Sequence, residues 1–174
     1  MNLIYTHRSG GRIWQGDKND VKALLQRPNK EVDLIGLFAQ EFQPTDPNNH
    51  YELLRGGYDD NDAANDDELK KVGELASHFS DRFAVALREG KGCVSSCNMG
   101  LNRSGLVTAL TLMKATHMGP EEAISLVRRN RTPQQGLSAL CNRKFVEMIR
   151  KLGATSGSKS TWTKWNRESP KARR

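Results

Sequence analysis

The sequence predicts an α/β domain built on a central, mostly parallel sheet of about four to five strands flanked by helices. Three observations predict it. Apolar runs of strand length alternate with amphipathic stretches of helix length along residues 1–153 of the 174. One of those runs, "EVDLIGLFAQE", is continuously apolar rather than alternating, as a strand covered on both faces is. Glycine- and proline-bearing breaks separate the segments.

Taken in order, "GGRIWQGD" is a short β-type run ending at Gly16, and "KNDVKALLQR" is a helix closed by Pro28. The run over 31–41 is a buried parallel strand, "FQPTDPNN" is turn chemistry, and "HYELLRGGY" is a second strand stopped by Gly56 and Gly57. After the acidic loop "DDNDAANDD", Leu69, Val72, Leu75, Phe79, Phe83 and Leu87 recur at helical steps from Glu68 onward. "REGKG" ends that helix and "CVSS" is a short strand. Beyond Arg103, Leu106, Leu110 and Met113 mark another helix, broken at "HMGP". Pro120 opens "PEEAISLVRRN", whose two glutamates suit a helix N-terminus. "RTPQQG" is a loop, and "LSALCNRKFVEMIRKL" is the last helix, stopped at Gly153. The predicted order is β-α-β-β-α-β-α-α-α.

Hydrophobic residues make up 36% and charged residues 27%, the balance of a soluble globular chain. No apolar run approaches the roughly 20 residues that cross a bilayer, and the N-terminus does not read as a secretory signal. Three cysteines, Cys93, Cys97 and Cys141, are an odd number without CxxC spacing. They imply a reducing, cytoplasmic setting with neither a disulfide framework nor a bound metal. The four histidines, His7, His50, His78 and His117, show no metal-like spacing either, and no cofactor is expected. The net charge of +7 is uneven: residues 154–174 hold six cations against Glu168. The organisation expected is therefore a domain over 1–153 and a basic, flexible tail over 154–174. The tail's charges and its indoles Trp162 and Trp165 suit contact with RNA. A monomer without membrane contact is expected.

The stretch "VSSCNMGLNRSG", residues 94–105, carries the chemistry. It joins a buried strand to a helix, the position where open α/β sheets place ligands. Gly100 and Gly105 free the backbone to turn tightly. A curled segment of this kind aims its N–H groups inward, and the following helix adds its positive end, so residues Asn98, Met99, Gly100, Leu101 and Asn102 form an anion cradle. Arg103 at its rim can grip two oxygens of a tetrahedral anion through its fork of donors. The same cradle favours the thiolate of Cys97, and the Ser104 hydroxyl can donate to that sulfur and help it leave a covalent intermediate.

Cys97, five residues, then Arg103 and Ser104 resembles the phosphate loop of the cysteine-dependent tyrosine phosphatase superfamily, specifically the small dual-specificity phosphatases. "RIWQGD", the long helix before "CVSSC", and the helices "SGLVTALTLM" and "PEEAISLVRRNR" fall where that family has them, over residues 10–153. The resemblance implies the dual-specificity phosphatase fold and phosphoprotein substrates hydrolysed through a phosphocysteine. It also implies a general acid, an aspartate some thirty residues before the cysteine, just after an apolar residue and one variable position. Tyr58, Asp59, Asp60 fits that pattern, which puts Asp60 first, Asp59 second and Asp62 third. Asp66 or Asp67 is expected to cap the next helix. Gln134 and Gln135 fall where larger tyrosine phosphatases orient water.

The chain departs from the family at Ser96, where a histidine that orders the loop is usual. Cys93 is read as packing, with a regulatory disulfide to Cys97 as the alternative. "GLNRSG" also looks like the phosphate-loop ending of RNA 5′-triphosphatases, although that branch needs no general acid and has a different sequence around its cysteine. A phosphoinositide substrate would call for a lysine within the loop, and none is there. A catalytically weak phospho-binding module is the reading from outside enzymology.

Overall fold

The computed structural model describes residues 1–156. Ten elements follow one another: β1 (Asn2–Thr6), β2 (Arg12–Gly16), α1 (Lys18–Gln26), β3 (Leu34–Leu37), β4 (Glu52–Arg55), α2 (Asp66–Arg88), β5 (Gly92–Ser96), α3 (Arg103–Thr116), α4 (Pro120–Asn130) and α5 (Arg143–Ser156). The five strands form one sheet in the order β1-β2-β5-β3-β4. β2, β5, β3 and β4 run parallel, and β1 closes one edge antiparallel to β2. The predicted mostly parallel sheet is thus present. β1, which the sequence reading passed over, is an edge strand with a burial pattern too mixed to leave a hydrophobic run.

Alternation sorts the buried strand residues onto two faces. Ile13, Leu34 and Cys93 point to the larger core under α2, α3, α4 and α5. Trp14, Ile35, Leu37 and Val94 point to the smaller one under Val21 and Leu24 of α1. β3 and β5 are buried along their whole length. Gly36 belongs to this packing, because a Cβ there would lie 2.3 Å from the Phe38 ring and 2.8 Å from Phe83. Phe38 in turn stacks on Phe79, with ring centroids 4.8 Å apart.

Three boundaries differ from the sequence reading. α2 is capped by Asn65, whose side chain accepts from Glu68 N while Glu68 returns a bond to Asn65 N. Asp66 and Asp67 are therefore first-turn residues, not caps, although they still complement the dipole. The buried face of α2 runs through Val72, Ala76, Phe79, Phe83 and Leu87, leaving Leu75 38% exposed. α5 begins at Arg143 rather than Leu137, because Asn142 caps it; Leu140 ahead of it sits at φ 56. It also runs through Gly153 to Ser156. There glycine serves close approach instead of termination, as a Cβ would meet Pro120 Cγ at 2.9 Å and Met113 Cε at 3.0 Å. The expected tail lies largely outside the described residues.

No helix among the described residues is long and apolar enough to cross a membrane.

Candidate active site

β5 delivers the chain to Cys97 at the C-terminal edge of the sheet, and α3 begins six residues later at Arg103. Between them the loop is held from outside by its carbonyls. Asn98 O accepts from Lys18 N at 3.4 Å, and Met99 O from Arg131 Nη2 at 3.2 Å. Gly100 O accepts from both Gln15 Nε2 at 2.8 Å and Arg131 Nε at 2.9 Å. Leu101 O accepts from Gln15 Nε2 and Leu140 N, each at 3.3 Å. In a planar trans peptide the N–H points opposite to the C=O. Four carbonyls turned to the scaffold therefore turn the amides of Met99, Gly100, Leu101 and Asn102 to the other side. Those four amides make no hydrogen bond among the described residues. Gly100 makes the turn possible: its φ is 66°, and a Cβ there would lie 2.5 Å from Gly16 O.

Cys97 is buried, with its sulfur 3.4 Å from Ser104 Oγ. Arg103 is only 7% exposed. Its Nη1 and Nη2 meet the two oxygens of Glu41 at 3.0 and 2.7 Å, while its buried Nε has no partner. Burial works against the Arg103 charge, but Glu41 and the nearby Cys97 outweigh it, so the guanidinium is held above its ordinary value. The same hydrogen bond from Arg103 holds the Glu41 carboxyl below the usual range. Tyr58 lies beneath, its hydroxyl donating to Arg103 O at 2.8 Å. Burial above all, then the charge of Cys97, pushes that phenol well above its ordinary value, and it stays a neutral donor.

Asp60 is tied to this loop by two asparagines. Asn102 Nδ2 donates to its Oδ2 at 3.0 Å, and Asn142 Nδ2 to its Oδ1 at 2.8 Å. Asn142 also accepts from Phe145 N at 3.2 Å, so one side chain caps α5 and grips the acidic loop. The carboxylates of Asp59 and Asp62 are exposed and make no hydrogen bond or ion pair among the described residues. Gln134 and Gln135 form a turn in which Gln134 pairs with Leu137, and neither side chain is bonded to the Cys97 loop.

Ser96, in the place of the usual histidine, sends its hydroxyl to Gly36 O at 2.6 Å and so ties β5 to β3. A disulfide between Cys93 and Cys97 does not fit: four residues of extended chain span about 13 Å, against the roughly 7 Å that a bridge tolerates between Cα atoms. The Cys93 thiol is pushed up to about 12 by burial and by Asp33, which makes it packing.

Four supporting residues escaped the sequence reading: Gln15, Glu41, Arg131 and Asn142. Asn142 alone had a local signal, an N-cap residue three positions before Phe145 and an apolar-periodic run. The others act from separate elements.

No known family profile matches the chain, and no curated protein matches it in sequence. Solved structures do. Human DUSP28 is similar with a TM-score of 0.67 and 18% identity, over 92% of this chain and 100% of that one. OH1 from the Orf virus, described as a tyrosine phosphatase with triple substrate specificity, gives 0.63 and 16% over 87% and 85%. Tk-PTP in its active form gives 0.57 and 19% over 87% and 96%. At such identities the likeness is one of architecture, and it is consistent: this chain has the fold of the dual-specificity phosphatases.

Proposed function

We propose that this protein is a cysteine-dependent phosphatase that hydrolyses phosphomonoesters on proteins, phosphotyrosine and also phosphoserine or phosphothreonine. One observation carries the reading. The turn from Cys97 to Arg103 holds four unpartnered amides, and Arg103 itself has an unpartnered, buried Nε. A buried donor without an acceptor, as Arg103 Nε is, is rare and costly, and the equatorial oxygens of a phosphoryl group would supply acceptors for it and for the amides. Glu41 occupies the far end of the Arg103 fork and so presents Nε and one Nη edge to the anion.

In this scheme the Cys97 thiolate attacks phosphorus in line as the bond to the leaving oxygen breaks, and Asp60 gives that oxygen its proton. Asp60, now a carboxylate, takes a proton from water, whose oxygen attacks phosphorus. The sulfur leaves as thiolate, with the Ser104 hydroxyl donating to it. An aspartate held against the loop suits an ester leaving group, which needs a proton, better than a phosphoanhydride, which does not.

The test is phosphate release from p-nitrophenyl phosphate, phosphotyrosine and phosphothreonine peptides, and 5′-triphosphate RNA, by the wild type and by Cys97→Ser. Turnover of the monoesters that disappears in Cys97→Ser is expected. Release from the RNA alone, or undiminished turnover in Cys97→Ser, would sink the scheme.

A further inference from the structure

A second groove adjoins the phosphate loop. It has a volume of about 280 Å³ and is framed by Arg128 near the end of α4, by Cys141, and by Arg143, Glu147 and Arg150 along α5. Cys141 joins it to the site. Its sulfur lies 3.3 Å from Asn102 Nδ2 and 3.4 Å from Asn102 Oδ1, and Asn102 is one of the two asparagines that hold Asp60. The groove therefore begins where the acidic loop meets the cradle.

Its charge is one-sided, three arginines against Glu147. Arg150 is engaged by Glu121, and Arg128 spends one donor on Leu140 O at 2.9 Å. Arg143 is exposed and makes no hydrogen bond or ion pair among the described residues. It sits in the first turn of α5 with Lys144 beside it and no acidic residue, at the helix end that favours negative charge. From Arg143 to Arg150 the helix covers about 10 Å, the span of about three residues of extended peptide. Among the lining residues no aromatic ring offers a base a surface to stack on, which single-stranded RNA recognition uses. Guanidinium forks, by contrast, match carboxylates bidentately.

We infer that this groove binds an acidic stretch of the substrate, aspartates or glutamates flanking the target phosphoresidue, with Arg143 as its first contact. The inference rests on the phosphoprotein reading above and names what that substrate carries beside its phosphate.

The test is fluorescence anisotropy of the full-length Cys97→Ser protein with phosphotyrosine peptides carrying three glutamates, or three alanines, on either side. On one side the acidic peptide is expected to bind about tenfold tighter than its alanine counterpart, the worth of about one good charge pair. Adding Arg143→Ala should bring that ratio close to one, and Arg143→Glu should invert it. Circular dichroism melting confirms that both variants are folded. Equal binding of acidic and alanine peptides on both sides overturns the inference. So does a preference that survives both Arg143 variants, or an Arg143 effect confined to 5′-triphosphate RNA. Turnover of p-nitrophenyl phosphate by the wild type is measured in parallel. Its absence would count against the phosphatase reading alone, because the binding ratio is obtained without catalysis.

Discussion

Replacing Arg131 with methionine removes a guanidinium from behind the phosphate loop while nearly filling its volume. Arg131 is 2% exposed and donates to Gly100 O, to Met99 O and, at 2.6 Å, to Asn2 Oδ1. Gly100 O keeps its bond from Gln15, but Met99 O loses its donor. A hydrogen bond from a charged donor contributes about 1.5–3 kcal/mol, and relief of a buried charge without a carboxylate partner returns part of the loss. The net cost should be about 2–4 kcal/mol, inside the roughly 5–15 kcal/mol stability of a domain, so the variant folds. With a urea slope of about 2 kcal/mol per molar, the midpoint should drop by about 1–2 M. Turnover of p-nitrophenyl phosphate should fall about a hundredfold, since misplacing catalytic donors by an ångström has that scale. Arg131→Lys should recover little, because one ammonium cannot reach two carbonyls and Asn2 in the same geometry. A methionine variant with its urea midpoint unmoved and turnover within about twofold of wild type would refute the argument that Arg131 shapes the cradle.

Two further outcomes are expected. Asn142→Ala removes both the α5 cap and a donor to Asp60, so stability should fall by about 1 kcal/mol and phosphothreonine turnover should fall more than that of p-nitrophenyl phosphate. Asn142→Asp should restore the cap but leave the selectivity gap in place, and equal losses on the two substrates would remove Asn142 from the positioning of Asp60. Glu41, held below the usual carboxylate range by Arg103, contributes stability that is present above the unfolded value and lost as pH falls through the lowered folded one. Urea unfolding of Glu41→Gln should therefore show a deficit of about 1 kcal/mol at neutral pH, discounted for a half-exposed carboxylate, that shrinks at about pH 3, below the unfolded carboxylate value. A deficit equal at both pH values would show that charge is not its cause.

The elements that read correctly from the sequence are those whose signal is local. β3 is apolar throughout because both its faces are covered, and α2 carries its periodicity over 23 residues. α3 is buried nearly all round, yet its opening at Arg103 was still marked by the loop before it. The start of α5 was misplaced for an opposite reason: Ala139 and Leu140 are buried, so a non-helical stretch added apolar residues that continued the helical count backwards. At the site, Cys97, Arg103 and Ser104 were legible because one loop holds them at fixed spacing. Glu41 and Arg131 reach that loop from 62 and 31 residues away in sequence, and nothing in a run of residues records such a meeting. Asp60 lies between these cases. Its loop was legible and the family pattern ranks it first, while in the structure the bonds from Asn102 and Asn142 set it apart from Asp59 and Asp62.

Ser96 brings these points together. In the family this chain resembles, a histidine before the cysteine helps order the loop. Here the side chain at that position serves the sheet, through Gly36 O, and leaves the loop to others. Arg131 and Gln15 hold its outer carbonyls, and Tyr58 holds the carbonyl of Arg103. The positive charge behind the cradle then belongs to a guanidinium, which does not deprotonate in proteins, instead of an imidazole that titrates near neutrality. The order of the amides should accordingly be indifferent to pH between about 5 and 8, and any change of activity across that range should arise from the reacting groups and the substrate rather than from the scaffold that holds them.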